Sequence, residues 1–164
     1  MAATHLVSVE EYLRTAYEPD AEYVEGRIIR RSAPQFDHGR LQAQLAACFY
    51  AREKEWRVIG VTNTRVQVQP AHFRVPDLCL VRERPEGGII VQPAVICIEI
   101  LSPDDSAKEL ADKIAEYLQF GADAVWVMDP IEQSGTIYPA TGRPAKVEDG
   151  VFRTGKIEVN IRKL

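Results

Sequence analysis

Apolar residues recur along this chain in two rhythms, and the switches between them predict its elements. After Ser8, Val9, Leu13 and Tyr17 fall at helical spacing, and Glu11 completes a capping box, so a short amphipathic helix opens there until Pro19-Asp20. Glu22-Tyr23-Val24-Glu25-Gly26-Arg27-Ile28-Ile29-Arg30-Arg31 reads as a hairpin turning at Glu25-Gly26. Asp37 or His38 opens a second helix, with Leu41, Leu45, Cys48 and Phe49 along one face. A strand begins around Arg57 to Ile59, and from Thr64 to Gln69 Val66 and Val68 alternate with polar neighbours until Pro70.

Two short apolar runs then each carry an acid. Val75-Pro76-Asp77 opens Leu78-Cys79-Leu80-Val81, and Val95-Ile96-Cys97-Ile98-Glu99-Ile100-Leu101 ends at Ser102-Pro103. Runs this short and this β-branched predict strands buried on both faces. The intervening segment has Gly87-Gly88 at its middle, so antiparallel pairing about that centre sets position 77 opposite position 99. Directly opposed residues in such a pair have Cβ atoms about 5 Å apart.

Downstream, Ser106 and Glu109 form another capping box, Leu110, Ile114, Tyr117 and Leu118 mark a buried stripe, and Gly121 is a natural stop. Ala124 to Asp129 reads as a further buried strand, and Thr136 to Pro139 and Ile157, Val159 and Ile161 suggest more sheet. Strand–helix–strand from Val95 to Met128 predicts a parallel crossover beside antiparallel pairs. The expected class is α/β (α+β), a central mixed β-sheet flanked by helices. With no repeat or long linker, residues 1–164 read as a single domain.

Composition narrows the setting. The 46% hydrophobic and 27% charged residues are ordinary for a water-soluble domain, and no apolar stretch approaches the roughly 20 residues of a membrane span. No leader pattern is visible at the amino terminus, so a cytoplasmic location is expected. Cys48, Cys79 and Cys97 are odd in number and set among apolar neighbours, as buried free thiols are. The net charge of −4 does not by itself suggest a nucleic-acid binder. Arg27, Arg30 and Arg31, then Arg52, Lys54 and Arg57, then Arg162 and Lys163 are clustered basic residues, readable as solvated faces or as phosphate contacts.

An acid inside an apolar strand must find a cation, a donor or a proton, because an unpaired buried carboxylate costs several kcal/mol or gives up its charge. Two opposed acids repel, which favours a shared proton or a cation between them. Oxygen-only ligation suits Mg²⁺ or Mn²⁺, ions that activate water beside a phosphoryl group. Lys113, at the edge of the buried stripe, is placed to join them, although Glu109 four residues earlier could claim it as a surface pair. Asp77 could instead cap a turn after Pro76, and Glu99 could pair with an arginine such as Arg74.

As an ordered set, Pro76-Asp77, Ile98-Glu99-Ile100-Leu101-Ser102-Pro103, Lys113 with Tyr117, Gly121 and Val125-Trp126-Val127-Met128-Asp129-Pro130 resemble a PD-(D/E)xK restriction-endonuclease-like domain. The chain more closely resembles the Uma-two family of that superfamily, whose acid-apolar-apolar-acid-glycine hairpin matches Glu22 to Gly26 and whose helix-opening histidine matches His38. The resemblance spans roughly Val9 to Pro130. It implies a restriction-endonuclease-like core and a Mg²⁺- or Mn²⁺-dependent endonuclease acting on DNA. Asp77 and Glu99 would be metal-binding and catalytic acids, Glu22 an additional metal ligand, and His38 a group that positions phosphate or water or caps its helix. The superfamily's lysine lies two residues after the second acid, where this chain has Leu101, and the resemblance moves that role to Lys113. Cleaving both strands suits a homodimer with two-fold symmetry. A catalytically silent DNA-binding or protein-interaction module would keep the same fold, and acid–base work on sugars is the remaining use of a carboxylate pair.

Overall fold

The computed structural model describes residues 6–164, so residues 1–5 of the stretch read for a leader lie outside the described residues. Helix α1 spans Val9–Arg14; strands β1 Ala21–Val24 and β2 Arg27–Arg30 follow, then helix α2 Phe36–Trp56. Strands β3 Ile59–Thr62, β4 Val66–Gln69, β5 His72–Arg74, β6 Leu78–Val81 and β7 Ile96–Ile100 lead to helix α3 Ala107–Phe120. Strands β8 Ala124–Asp129, β9 Ser134–Pro139, β10 Ala145–Val147, β11 Val151–Thr154 and β12 Ile157–Asn160 complete the order, and a 3-10 turn covers Ile161–Lys163.

The central sheet is six-stranded, β10-β9-β8-β7-β6-β3. Only its β7–β8 pair is parallel, and α3 makes that crossover, so the expected mixed sheet is present. Alternation along the strands divides the core. Leu78, Leu80, Ile96, Ile98, Trp126 and Met128 pack against Leu41, Leu45 and Phe49 of α2. Their neighbours Cys79, Cys97, Val125 and Val127 pack against Ile114 and Tyr117 of α3. Helices therefore cover both faces, which is why β6, β7 and β8 are apolar on successive residues instead of alternate ones. The β11–β12 hairpin adds Phe152, Ile157 and Val159 to the α2 side, with the Phe152 ring 5.6 Å from that of Trp126.

The Glu22 hairpin belongs to a second, four-stranded antiparallel sheet, β2-β1-β5-β4. It turns at Glu25-Gly26 as expected, both residues holding positive φ. Several boundaries differ from the sequence reading. Helix α1 stops at Arg14 and buries Tyr12, leaving Tyr17 outside it. Helix α2 opens at Phe36, with no side-chain cap at Gln35, before Asp37 and His38. Arg57 is its left-handed C-cap, so the next strand waits until Ile59, and β4 begins at Val66. Ile161 lies in the 3-10 turn, beyond the last strand. The three cysteines are free. No helix among the described residues is long and apolar enough to cross a membrane.

Gly135 shows how closely β9 approaches β8: a Cβ there would stand 2.0 Å from the Val127 carbonyl oxygen and 2.8 Å from the Phe152 ring. Backbone cannot yield cheaply inside a paired sheet, so Gly135→Ala should cost about 3 kcal/mol. Chemical denaturation checks this, and a loss well under 1 kcal/mol would mean the two strands separate without strain.

Candidate functional site

Strands β6 and β7 pair antiparallel through Leu78–Ile98, Cys79–Cys97 and Leu80–Ile96. One step beyond that ladder, Asp77 stands opposite Glu99, the register expected from the loop. Both acids are buried, at 2% and 6% exposure. Glu99 on β7 and Asp77, one residue before β6, keep the alternation of Cys97 and Cys79, which face the α3 side.

Asp77 divides its carboxylate. Oδ2 accepts the Ile100 backbone N–H at 2.7 Å, while Oδ1 receives the Arg31 guanidinium at 2.5 Å and lies 3.3 Å from His38 Nε2. A turn-capping role is thereby set aside, because the side chain reaches across the sheet and not along its own turn. Burial pushes this carboxyl up, but the His38 hydrogen bond, the Arg31 charge and the Ile100 N–H outweigh it and hold Asp77 below the ordinary carboxylate value. The His38 imidazole is correspondingly raised: burial disfavours its charge, and the bond to Asp77 more than offsets that. His38 Nδ1 lies 3.0 Å from the Ser102 hydroxyl, so the ring is held from both sides.

Glu99 is arranged in parallel fashion. Oε1 accepts the Tyr117 hydroxyl at 2.8 Å, and Oε2 lies 3.3 Å from Lys113 Nζ. Lys113 points inward and also meets Glu22 Oε1 at 3.0 Å, so it bridges two acids and does not form the alternative surface pair with Glu109. Its place one turn before Tyr117 on α3 explains this, since residues four apart share a helix face. Burial would depress the Lys113 ammonium, but the Glu99 and Glu22 carboxylates hold it well above its ordinary value. Burial raises Glu99 to about 7 against the opposing pull of Lys113, with Asp77 and Glu22 adding to the rise.

Glu22, on β1, is 1% exposed and fully engaged: Oε1 accepts the Val75 N–H at 3.1 Å beside Lys113, and Oε2 accepts from Arg74 at 2.9 Å. Arg74 therefore pairs with Glu22 and with Glu116 of α3, at 2.6 Å, and not with Glu99. His72 joins the far end of this network through Glu116 at 3.0 Å. Among the described residues no buried side-chain nitrogen or oxygen lacks a partner.

Glu22, His38, Asp77, Glu99 and Lys113 line one solvent-reachable cleft, together with Arg30, Arg31 and Ser102. All the candidate residues converge there. Of the basic cluster Arg27, Arg30 and Arg31, Arg31 is the one that pairs with Asp77. The donor chemistry fits a hard divalent cation, because Asp77 and Glu99 present carboxylate oxygens from facing strands. Among the described residues no three His, Cys, Asp or Glu side chains converge as a ready-made cage. An ion with many water ligands, completed by substrate oxygens, suits such a site better than one that needs an all-protein shell.

A buried acid that binds its proton more tightly when folded favours the folded state at low pH, and that share is lost as pH climbs through the folded value. For Glu99 the loss runs from 4.5 to about 7. In chelator, the wild-type melting temperature should therefore fall relative to Glu99→Gln between about pH 4.5 and about pH 7. A gap that stays constant over that range would mean Glu99 titrates normally.

The chain matches the family model described as "Uma2: Putative restriction endonuclease" over residues 9–154. Its fold is similar to a crystal structure described as "a putative nuclease belonging to DUF820" from Anabaena variabilis ATCC 29413. The TM-score is 0.81 at 26% sequence identity, and the match covers 95% of this chain and 96% of that one. No curated protein matches the chain.

Proposed function

Because the chain belongs to the Uma2 (Uma-two) family, whose model spans residues 9–154, we propose that it is a nuclease that hydrolyses phosphodiester bonds in DNA with the help of Mg²⁺ or Mn²⁺. Asp77 and Glu99 would hold the ion. Bound there, it supplies a Lewis acid and lowers the pKa of an attacking water. Lys113 carries a fixed positive charge, oriented by Glu22, beside the place where negative charge develops on the phosphoryl oxygens. His38, braced by Ser102, presents Nε2 to the same space and positions phosphate or water. Arg30, exposed beside the cleft, gives an acidic chain a local positive charge for the nucleic-acid backbone. Two such clefts in a two-fold pair of chains would address both strands of a duplex.

The observation that carries this reading is convergence. Asp77 just before β6, Glu99 on β7 and Lys113 on α3 are far apart in sequence, and all line one open cleft. Surface ion pairs have no reason to gather in that way.

One observation favours a second reading, a silent module that retains the fold. Arg31 and His38 already face Asp77, and Lys113 already bridges Glu22 and Glu99, so the acids are countered without an ion. Supercoiled plasmid separates the two. The nuclease nicks or linearises it in millimolar Mg²⁺ or Mn²⁺ and leaves it intact in excess EDTA. Plasmid left intact under both conditions supports the silent module.

A further inference from the structure

Both acids assigned to the ion share a design: one oxygen is anchored by a rigid donor and the other faces a cation on a long side chain. Asp77 Oδ2 is held by the backbone of β7, and Glu99 Oε1 by the buried hydroxyl of Tyr117. Each carboxylate therefore keeps its orientation if its cation leaves. Glu22 differs, because its cation Arg74 is itself pinned by Glu116.

Of the two cations, Arg31 has somewhere to go. It stands just past the end of β2, where residues 31–35 have no regular structure. Arg31, Ser32, His38 and Asp77 line two cavities at once, so Arg31 borders space on either side of its pairing with Asp77. Its other nitrogen, Nη1, donates to Asn63 Oδ1 at 3.1 Å, and Asn63 lines the second cavity. A short swing about Asn63 would take the guanidinium off Asp77 and leave it beside the same cleft.

We propose that Arg31 is a displaceable cation: it occupies Asp77 Oδ1 in the metal-free protein, yields that oxygen to the arriving divalent ion, and then contacts the substrate phosphate. A guanidinium suits both stations, because its fork matches carboxylate and phosphate oxygens alike. The proposal rests on the nuclease reading and assigns that site its phosphate contact. It also accounts for an acid pair that is fully countered yet placed as metal ligands would be.

Calorimetric titration of the full chain with Mn²⁺ alone, without DNA, reads the competition directly. Arg31→Gln should bind Mn²⁺ on the order of tenfold tighter than wild type, because a unit positive charge no longer opposes the ion at Asp77. Arg31→Lys keeps the charge without the fork and should fall between the two. At saturating Mn²⁺, Arg31→Gln should nonetheless cleave plasmid more slowly than wild type. Equal or weaker Mn²⁺ affinity in Arg31→Gln would overturn the displacement, since Arg31 would then be holding Asp77 in place for the ion, and the nuclease reading would stand. Unchanged cleavage at saturating Mn²⁺ would overturn the phosphate contact. No Mn²⁺ binding by any of the three proteins, with plasmid left intact by wild type, would remove the nuclease reading and this proposal together.

Discussion

Plasmid cleavage by the Asp77→Asn and Glu99→Gln proteins should fall on the order of a hundred- to a thousandfold below wild type, the scale of losing one preorganised electrostatic group at a reacting phosphate. Both substitutions keep side-chain size and one hydrogen-bonding oxygen while removing the charge. That remaining amide oxygen can still accept the Ile100 N–H in the first variant and the Tyr117 hydroxyl in the second. The fold should therefore survive, and far-ultraviolet circular dichroism and a single cooperative melt would show it. What disappears is the attraction for a divalent ion, so Mn²⁺ titration should weaken in parallel with cleavage. Lys113→Met separates the two roles: it removes the ammonium between Glu22 and Glu99, so cleavage should drop while Mn²⁺ still binds. Cleavage that persists in both acid variants and in excess EDTA would rule out the metal-dependent mechanism.

Much of this site was legible in the sequence, for identifiable reasons. An acid in a run buried on both faces has few structural excuses, and Glu99 is indeed countered from two sides. The Gly87-Gly88 centre pointed to the register that the Leu78–Ile98 ladder adopts, although loop symmetry alone does not exclude a two-residue slip on the same face. Lys113 could be placed beside Tyr117 by helical spacing, but its choice of Glu99 and Glu22 over Glu109 could not, since the deciding partner lies on a distant hairpin. Arg31 was hidden for a related reason. It follows a strand whose Arg27 and Arg30 are exposed, and local pattern gives no sign that the chain leaves the sheet there and turns its guanidinium inward. The alternative of Arg74 as the partner of Glu99 is not the one adopted, because its guanidinium meets Glu22 of β1 and Glu116 of α3, partners that lie far from it in sequence. The division into two sheets escaped because short strands carry no record of which sheet they join.

Arg74→Ala should destabilise the protein by about 3–5 kcal/mol, the usual penalty for removing one member of a buried ion network. Arg74 is 4% exposed and joins Glu22 of the small sheet to Glu116 of α3, while Val75 beside it donates its backbone N–H to Glu22. Without the guanidinium, the 1% exposed Glu22 keeps only that N–H and Lys113, and Glu116 keeps His72. At 1% exposure Glu22 gains too little water to offset the lost guanidinium, so the carboxylate must either take a proton or open the sheet–helix junction. The urea midpoint should drop with an unchanged m-value, since the same surface unfolds. Pairing the change with neutral partners tests the cause: Arg74→Met with Glu22→Gln removes both the charge and the need for it, and should recover a large part of the loss. The recovery should be confined to stability. Glu22 also orients Lys113, so the double variant should fold well and cleave poorly, which separates the network's structural work from its service to the cleft. A loss below about 1 kcal/mol in Arg74→Ala would place these charges in the regime of solvent-screened pairs and contradict the burial on which the site's electrostatics depend.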